Sequence, residues 1–112
     1  MKKICRFLEG VALNESLSKV AFLAKSLGDE NRLRILLCLN NGKRSVSQIV
    51  EELNLSQPLI SHHLKELRRS LLLTVERRGP FIYYEMSDSR VIDILKDLES
   101  LATDLLTGRT TF

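Results

Sequence analysis

Apolar positions keep a helical period along most of this chain and give way once to strand-like composition. Leu13, Leu17, Val20, Ala24 and Leu27 recur at intervals of three and four, which predicts an amphipathic helix from about Asn14 that Gly28 ends. Asp29 caps a second helix with Glu30 in its first turn. Leu33, Ile35, Leu36, Leu37 and Leu39 make this helix apolar over most of its girth, as suits a central element, and Asn41-Gly42 terminates it. Ser45 and Gln48 have the spacing of a capping box and open a short helix, Val46 to Leu53, with Ile49, Val50 and Leu53 inward. Asn54-Leu55 makes a tight turn into the next helix. There Ser56 is the cap, Pro58 lies in the first turn where its missing N–H costs nothing, and Ile60, Leu64, Leu67 and Leu71 form the buried stripe.

After Arg69 the period changes. Leu71 to Glu76 and Phe81 to Met86 are β-rich and bracket Arg77-Arg78-Gly79-Pro80, which predicts a two-stranded hairpin with two arginines at its tip. Ser87 or Asp88 then caps a last helix whose stripe is Val91, Leu95, Leu98, Ala102 and Leu105, widened by Ile94 and Leu101. Residues 1–11 read as an arm: Ile4, Phe7, Leu8 and Val11 have helical spacing, but Gly10 weakens a continuous helix. The predicted order is α-α-α-α-β-β-α, mainly α with a small β-hairpin. Two short helices with an exposed polar face on the second, followed by a hairpin, make a winged helix-turn-helix. All 112 residues are read as one domain with an N-terminal arm and a C-terminal dimerisation helix. The first and last long helices show apolar faces that the winged unit does not need. Pairing across a two-fold axis uses them, and capping the chain's own core is the competing use.

The polar side of the fourth helix carries the chemistry. Pro58, His62, Lys65 and Arg69 share the face opposite the stripe, with Ser61 and Arg68 at its flanks and no carboxylate at its centre. Such a face suits a helix laid in the major groove of DNA, with Ser56, Gln57, Pro58, Ser61 and His62 near base edges and Lys65 and Arg69 near phosphate. Arg77 and Arg78 at a wing tip reach phosphate or minor groove beside it. A solvated helix face and a basic solubilising turn are the plain alternatives. Composition permits the nucleic-acid reading: Lys+Arg number 17 against Asp+Glu 14, for a net charge of +3. A protein-interaction module without DNA binding is the other class, and it would carry an apolar or mixed patch where this helix is cationic.

Two cysteines, Cys5 and Cys38, stand in no paired motif, which excludes a disulfide scaffold and a CxxC zinc module and makes cytosol the expected compartment. No apolar run approaches the ~18–20 residues of a membrane span. No nucleophile–base signature, glycine-rich phosphate loop or paired-carboxylate motif supports an enzyme, and none calls for a cofactor.

The stretch LGDENRLRILLCLNNGKRSVSQIVEELNLSQPLISHHLKELRR, followed by RRGPFIYYEMSD, resembles the ArsR/SmtB family of bacterial and archaeal winged-helix repressors. The likeness covers roughly residues 20–100. It rests on the Asp29, Arg32, Leu33, Ile35, Leu36 helix opening, the Leu55 to Leu64 segment and the Gly79 to Tyr84 strand. It implies a homodimer on an inverted-repeat operator, released when an inducer, often a metal ion, binds elsewhere. Family members often read Ala-Gly where this chain has Ser70-Leu71. Glycine tolerates the left-handed backbone there, which Leu71 would adopt only at a cost of ~1–2 kcal/mol; a different helix ending is the alternative.

The same resemblance locates metal sites to test. The thiol site of the family needs a Cys-x-Cys pair where this chain has Ser45 and Ser47, poor ligands for soft metals. The site across the last helices needs imidazoles and carboxylates where this chain has Asp88, Arg90, Leu101 and Asp104. Both imidazoles are gone, and an arginine opposes a metal's charge. Adjacent His62 and His63 diverge on a helix and cannot chelate together. His62 reads outward, and His63 is expected to be a satisfied, semi-buried histidine. That leaves the thiols. Cys38 shares a helix face with Arg34, whose guanidinium would favour thiolate, and some members of the family sense persulfide or oxidants through a cysteine on this helix. A Cys5–Cys38 redox or soft-metal switch is therefore one expectation. Structural cysteines with an unknown small inducer are the other.

Overall fold

A computed structural model of the chain describes residues 13–108. Five helices and three short strands follow in the order α1 (Leu13–Leu27), α2 (Glu30–Leu39), β1 (Arg44–Ser45), α3 (Val46–Leu53), α4 (Gln57–Arg69), β2 (Leu73–Arg78), β3 (Phe81–Met86) and α5 (Arg90–Leu106). The expected helix and hairpin order is present. No helix among the described residues is long and apolar enough to cross a membrane.

Local signals set most boundaries. Asp29 accepts hydrogen bonds from the backbone N–H of Asn31 and Arg32 and starts α2. Ser45 and Gln48 form the reciprocal capping box of α3. Asn54 closes α3 with a left-handed φ of 55°, which asparagine tolerates better than most residues. Ser56 caps α4 through the Leu59 N–H. The start of α5 differs from expectation: Ser89 occupies the cap position without a side-chain bond. Asp88 still satisfies the Arg90 N–H, while the Ser87 hydroxyl donates to the Leu71 carbonyl.

The core lies where α2, α3 and α4 meet. Ile35, Leu36, Ile49, Ile60, Leu64 and Leu67 are fully enclosed, each worth about 1.5–3 kcal/mol of apolar burial. Leu72, Leu73, Val91 and Leu95 close it from the strand and last-helix side. Of α5 only Val91, Ile92 and Leu95 are buried; Ile94, Leu98, Leu101 and Leu105 stand in solvent. On α1, Leu17, Val20, Phe22 and Leu23 are exposed too. The terminal helices therefore do not spend these faces on this chain's own core.

The wing is a three-stranded antiparallel sheet in the order β1-β3-β2, not the expected two-stranded hairpin. Arg44 pairs with Tyr84 and Ser45 with Tyr83, so the residues entering the α3 cap also extend the sheet. The hairpin itself is tighter than expected. β2 begins at Leu73 and runs through Arg77 and Arg78, which pair with Ile82 and Phe81. Gly79-Pro80 alone makes the turn. Gly79 has a φ of 60°, as the first central position of a two-residue II′ loop requires, and the proline ring fixes the second.

Leu71 departs from the expected stripe. Its side chain is 78% exposed and its φ is 64°. The Leu72 N–H reaches the Leu67 carbonyl and the Leu71 N–H reaches that of Arg68, the paired bonds of a Schellman ending. Leucine thus takes the left-handed position usually given to glycine. Leu71→Gly removes ~1–2 kcal/mol of backbone strain and adds ~0.5–1 kcal/mol of unfolded-state entropy. A gain of about 0.5–1 kcal/mol in urea unfolding is expected. A loss of stability would mean that the leucine side chain is held by contacts outweighing its strain.

Candidate nucleic-acid interface

Residues from α3 to α4 form a helix-turn-helix whose second helix is fixed from inside. Ile60, His63, Leu64 and Leu67, at spacings of three, one and three, face the core. The opposite side is thereby presented outward: Ser56, Gln57, Pro58, His62, Lys65 and Arg69 are exposed, and Ser61 is half-buried at the edge. These are the residues expected at the interface, and the structure brings them onto one face. Lys65 makes no ion pair among the described residues, and Arg69 meets Glu66 at 3.5 Å in an exposed pair worth little.

The two wing arginines are not equivalent, which corrects the picture of a free two-arginine tip. Successive strand residues point to opposite faces. Arg77 shares its side with Val75 and the core-facing Leu73, and makes no ion pair among the described residues. Arg78 lies on the other side, 3.1 Å from Glu76 and with its guanidinium 5.8 Å from the centre of the Tyr83 ring. Glu76 also accepts from Lys43, and these two cationic donors hold its carboxyl below the usual range. Arg77 is the wing cation whose charge stands uncompensated.

His63 is buried, as expected, and is tied into a polar junction that sequence reasoning did not assemble. The Arg32 Nη1 lies 3.4 Å from His63 Nδ1, and His63 Nε2 is 3.7 Å from the Asp29 carboxylate. The remaining Arg32 donors reach the Ser26 carbonyl at 2.6 Å and the Lys25 carbonyl at 3.2 Å. The signal was present in a cap aspartate followed three residues later by an arginine in a helix with a largely apolar girth, but its partners lie on two other elements.

Cys38 contradicts its expected thiolate character. It is only 5% exposed, and its Sγ donates to Glu52 at 3.0 Å. Desolvation, then the Glu52 hydrogen bond and charge, push the thiol up to about 12. Arg34 turns away to Glu30, at 2.6 Å, and Asn31. Cys5 lies outside the described residues. Asp88 is bound to Arg90 at 2.8 Å, which holds its carboxyl down to about 2. Among the described residues no three His, Cys, Asp or Glu side chains converge as a metal site.

Comparison with known proteins agrees with this geometry. Residues 29–74 match the family model described as bacterial regulatory protein, arsR family. The chain is 38% identical over 88 residues to an uncharacterised HTH-type transcriptional regulator of Methanocaldococcus jannaschii, covering 78% of this chain and 99% of that one. It is 36% identical to the transcriptional repressor SdpR of Bacillus subtilis, over 62% of this chain and 77% of that protein. The homodimeric winged helix-turn-helix DNA-binding domain of a possible ArsR-family regulator from Mycobacterium bovis superposes with a TM-score of 0.74. It has 25% identity and covers 88% of this chain and 92% of that one.

Proposed function

The chain belongs to the arsR family of bacterial regulatory proteins, and from that premise we propose that it works as an effector-responsive homodimeric repressor on an inverted-repeat operator. The observation that carries this reading is the outer face of α4, where His62, Lys65 and Arg69 stand exposed on a helix locked from behind. Ser56, Gln57, Ser61 and His62 read base edges, Pro58 brings the first turn close, and Lys65, Arg69 and Arg77 take phosphates. Arg78 reaches DNA only by leaving Glu76. The dimer forms through α1 and α5, whose uncovered leucines support it, as does the homodimeric M. bovis neighbour.

The test is selection of duplexes from a random pool, followed by a reporter under the selected sequence. A near-palindrome with half-site centres ~34–36 Å apart, and lowered reporter expression, are expected. A protein that prefers no duplex over bulk DNA at ~0.15 M salt would return the fold to the interaction-module class.

The effector is a small molecule, and its site is sought in the groove of about 590 Å³ between α1 and the start of α5, which Phe22, Leu23, Leu71, Asp88 and Ile94 help to line. Asp104 lies further along α5. A switch linking Cys5 to Cys38 is the competing account, and the burial and protonation of Cys38 count against it. Operator binding by wild type and Cys38→Ser, each with and without a disulfide-forming oxidant or polysulfide, separates the two. Equal affinity in all four conditions is expected. Release of wild type alone would restore the thiol switch.

A further inference from the structure

A part-buried polar junction lies at the edge of the core, where the proposed dimer helix α1, the central helix α2 and the recognition helix α4 meet. Arg32, on α2, spends Nε and Nη2 on the Ser26 and Lys25 carbonyls at the end of α1. Its Nη1 points at Nδ1 of His63 on α4. His63 immediately follows His62 on the outer face, so any turn or slide of its backbone moves the groove-facing residues as well.

We propose that Arg32 and His63 are positioning residues that fix the recognition helix against α1, and so set the separation of the two recognition helices in the dimer. The inference rests on the operator-binding dimer reading and adds to it the joint through which the dimer face and the DNA face are held in register. The chemistry of the joint fixes a protonation state. An arginine only donates, so Nδ1 must offer its lone pair, and the proton sits on Nε2 facing Asp29. Adding a second proton places an N–H against the guanidinium and breaks the joint.

The groups facing the ring are the α2 cap Asp29 and Arg32 on α2, and His62 and Glu66 from α4; α1 contributes backbone carbonyls through Arg32. Burial first, then Arg32 and His62, hold the imidazole below its ordinary value, against the opposing pull of Asp29 and Glu66. A depressed imidazole binds its proton more readily in the unfolded or released state. The joint is therefore intact at neutral pH and weakens as pH falls below ~6.5.

The experiment measures binding of wild type, His63→Gln and His63→Leu to two duplexes: the inverted repeat selected by wild type, and the same duplex with one half scrambled. Glutamine can accept from Arg32 and donate toward Asp29 without titrating. It should keep the preference for the full repeat and flatten its pH dependence between pH 7.5 and 5.5. Leucine removes the acceptor and should lower that preference roughly tenfold, within the usual range of coupling between sites, while binding to the single half changes little. His62 is present in all three proteins, so differences between their pH profiles belong to position 63. Circular dichroism at each pH checks that all three remain folded.

A full-to-half preference that is the same in wild type and His63→Leu, or the same pH profile in wild type and His63→Gln, would overturn the proposal and leave the junction as packing. A wild type that selects no duplex in the first place would instead remove the DNA-binding reading beneath it.

Discussion

Leu98→Glu is expected to give a folded monomer that no longer holds the full operator. Leu98 is half exposed in the single chain, and the buried anchor of α5 ends at Leu95, a turn earlier. Substitution therefore removes little from the chain's own core, and circular dichroism should be unchanged. In the proposed α1–α5 dimer the same position would lie in an apolar seam, where two-fold symmetry would bring in two glutamates for each pair of chains. Burying an unpaired carboxylate costs several kcal/mol, and two like charges add to that. Light scattering should report monomer at micromolar concentration for the variant and dimer for the wild type. Operator affinity should fall roughly a hundredfold or more, because joining two weak half-site contacts is what raises avidity by ~10²–10⁴. Binding to a single half-site should be nearly retained. Leu105→Glu, at a residue 67% exposed and nearer the free end of α5, should act in the same direction. A wild-type monomer, or a Leu98→Glu protein that stays dimeric, would show that these faces serve something else.

The helices were legible because each carries its own punctuation. Asp29, Ser45 and Ser56 cap where a short polar side chain precedes an apolar period, and the structure uses all three. The outward face of α4 follows from the same period, since knowing which residues are buried fixes the others. What could not be read depends on contacts between elements. β1 is two residues long and exists only because β3 lies beside it. Helical spacing put Cys38 with Arg34, but it cannot show that Glu52 arrives from α3 to take the thiol while Glu30 takes the arginine. At the wing, strand alternation separates Arg77 from Arg78, and it became visible only once the turn had shrunk to Gly79-Pro80. The left-handed leucine was foreseeable as a cost. That the chain accepts the cost at Leu71 instead of ending α4 differently was not.

Replacing Lys65 and Arg69 together by glutamine should have the largest effect on DNA affinity. Both side chains are exposed, so the helix loses only the weak Arg69–Glu66 pair, worth a few tenths of a kcal/mol. The core that locks α4 is untouched. If each cation neutralises one phosphate, the dimer loses four contacts, and the slope of log affinity against log salt should flatten by about 3–4. Extrapolated to ~0.15 M salt, that is a loss on the order of a thousandfold, shared by operator and unrelated DNA alike, because phosphates carry no sequence. Arg77→Ala should flatten the slope by about half as much, and Arg78→Ala by less still, since Glu76 already engages that guanidinium. Gln57→Ala or His62→Ala should behave differently: the salt slope stays, and discrimination between operator and unrelated duplex erodes by about 1–3 kcal/mol for each lost base contact. Titrations at four salt concentrations separate these patterns. If Lys65→Gln/Arg69→Gln kept the wild-type slope, the phosphate track would have to lie elsewhere. Lys65 and Arg69 would then lose their assigned place on the phosphates, whatever the wing contributes.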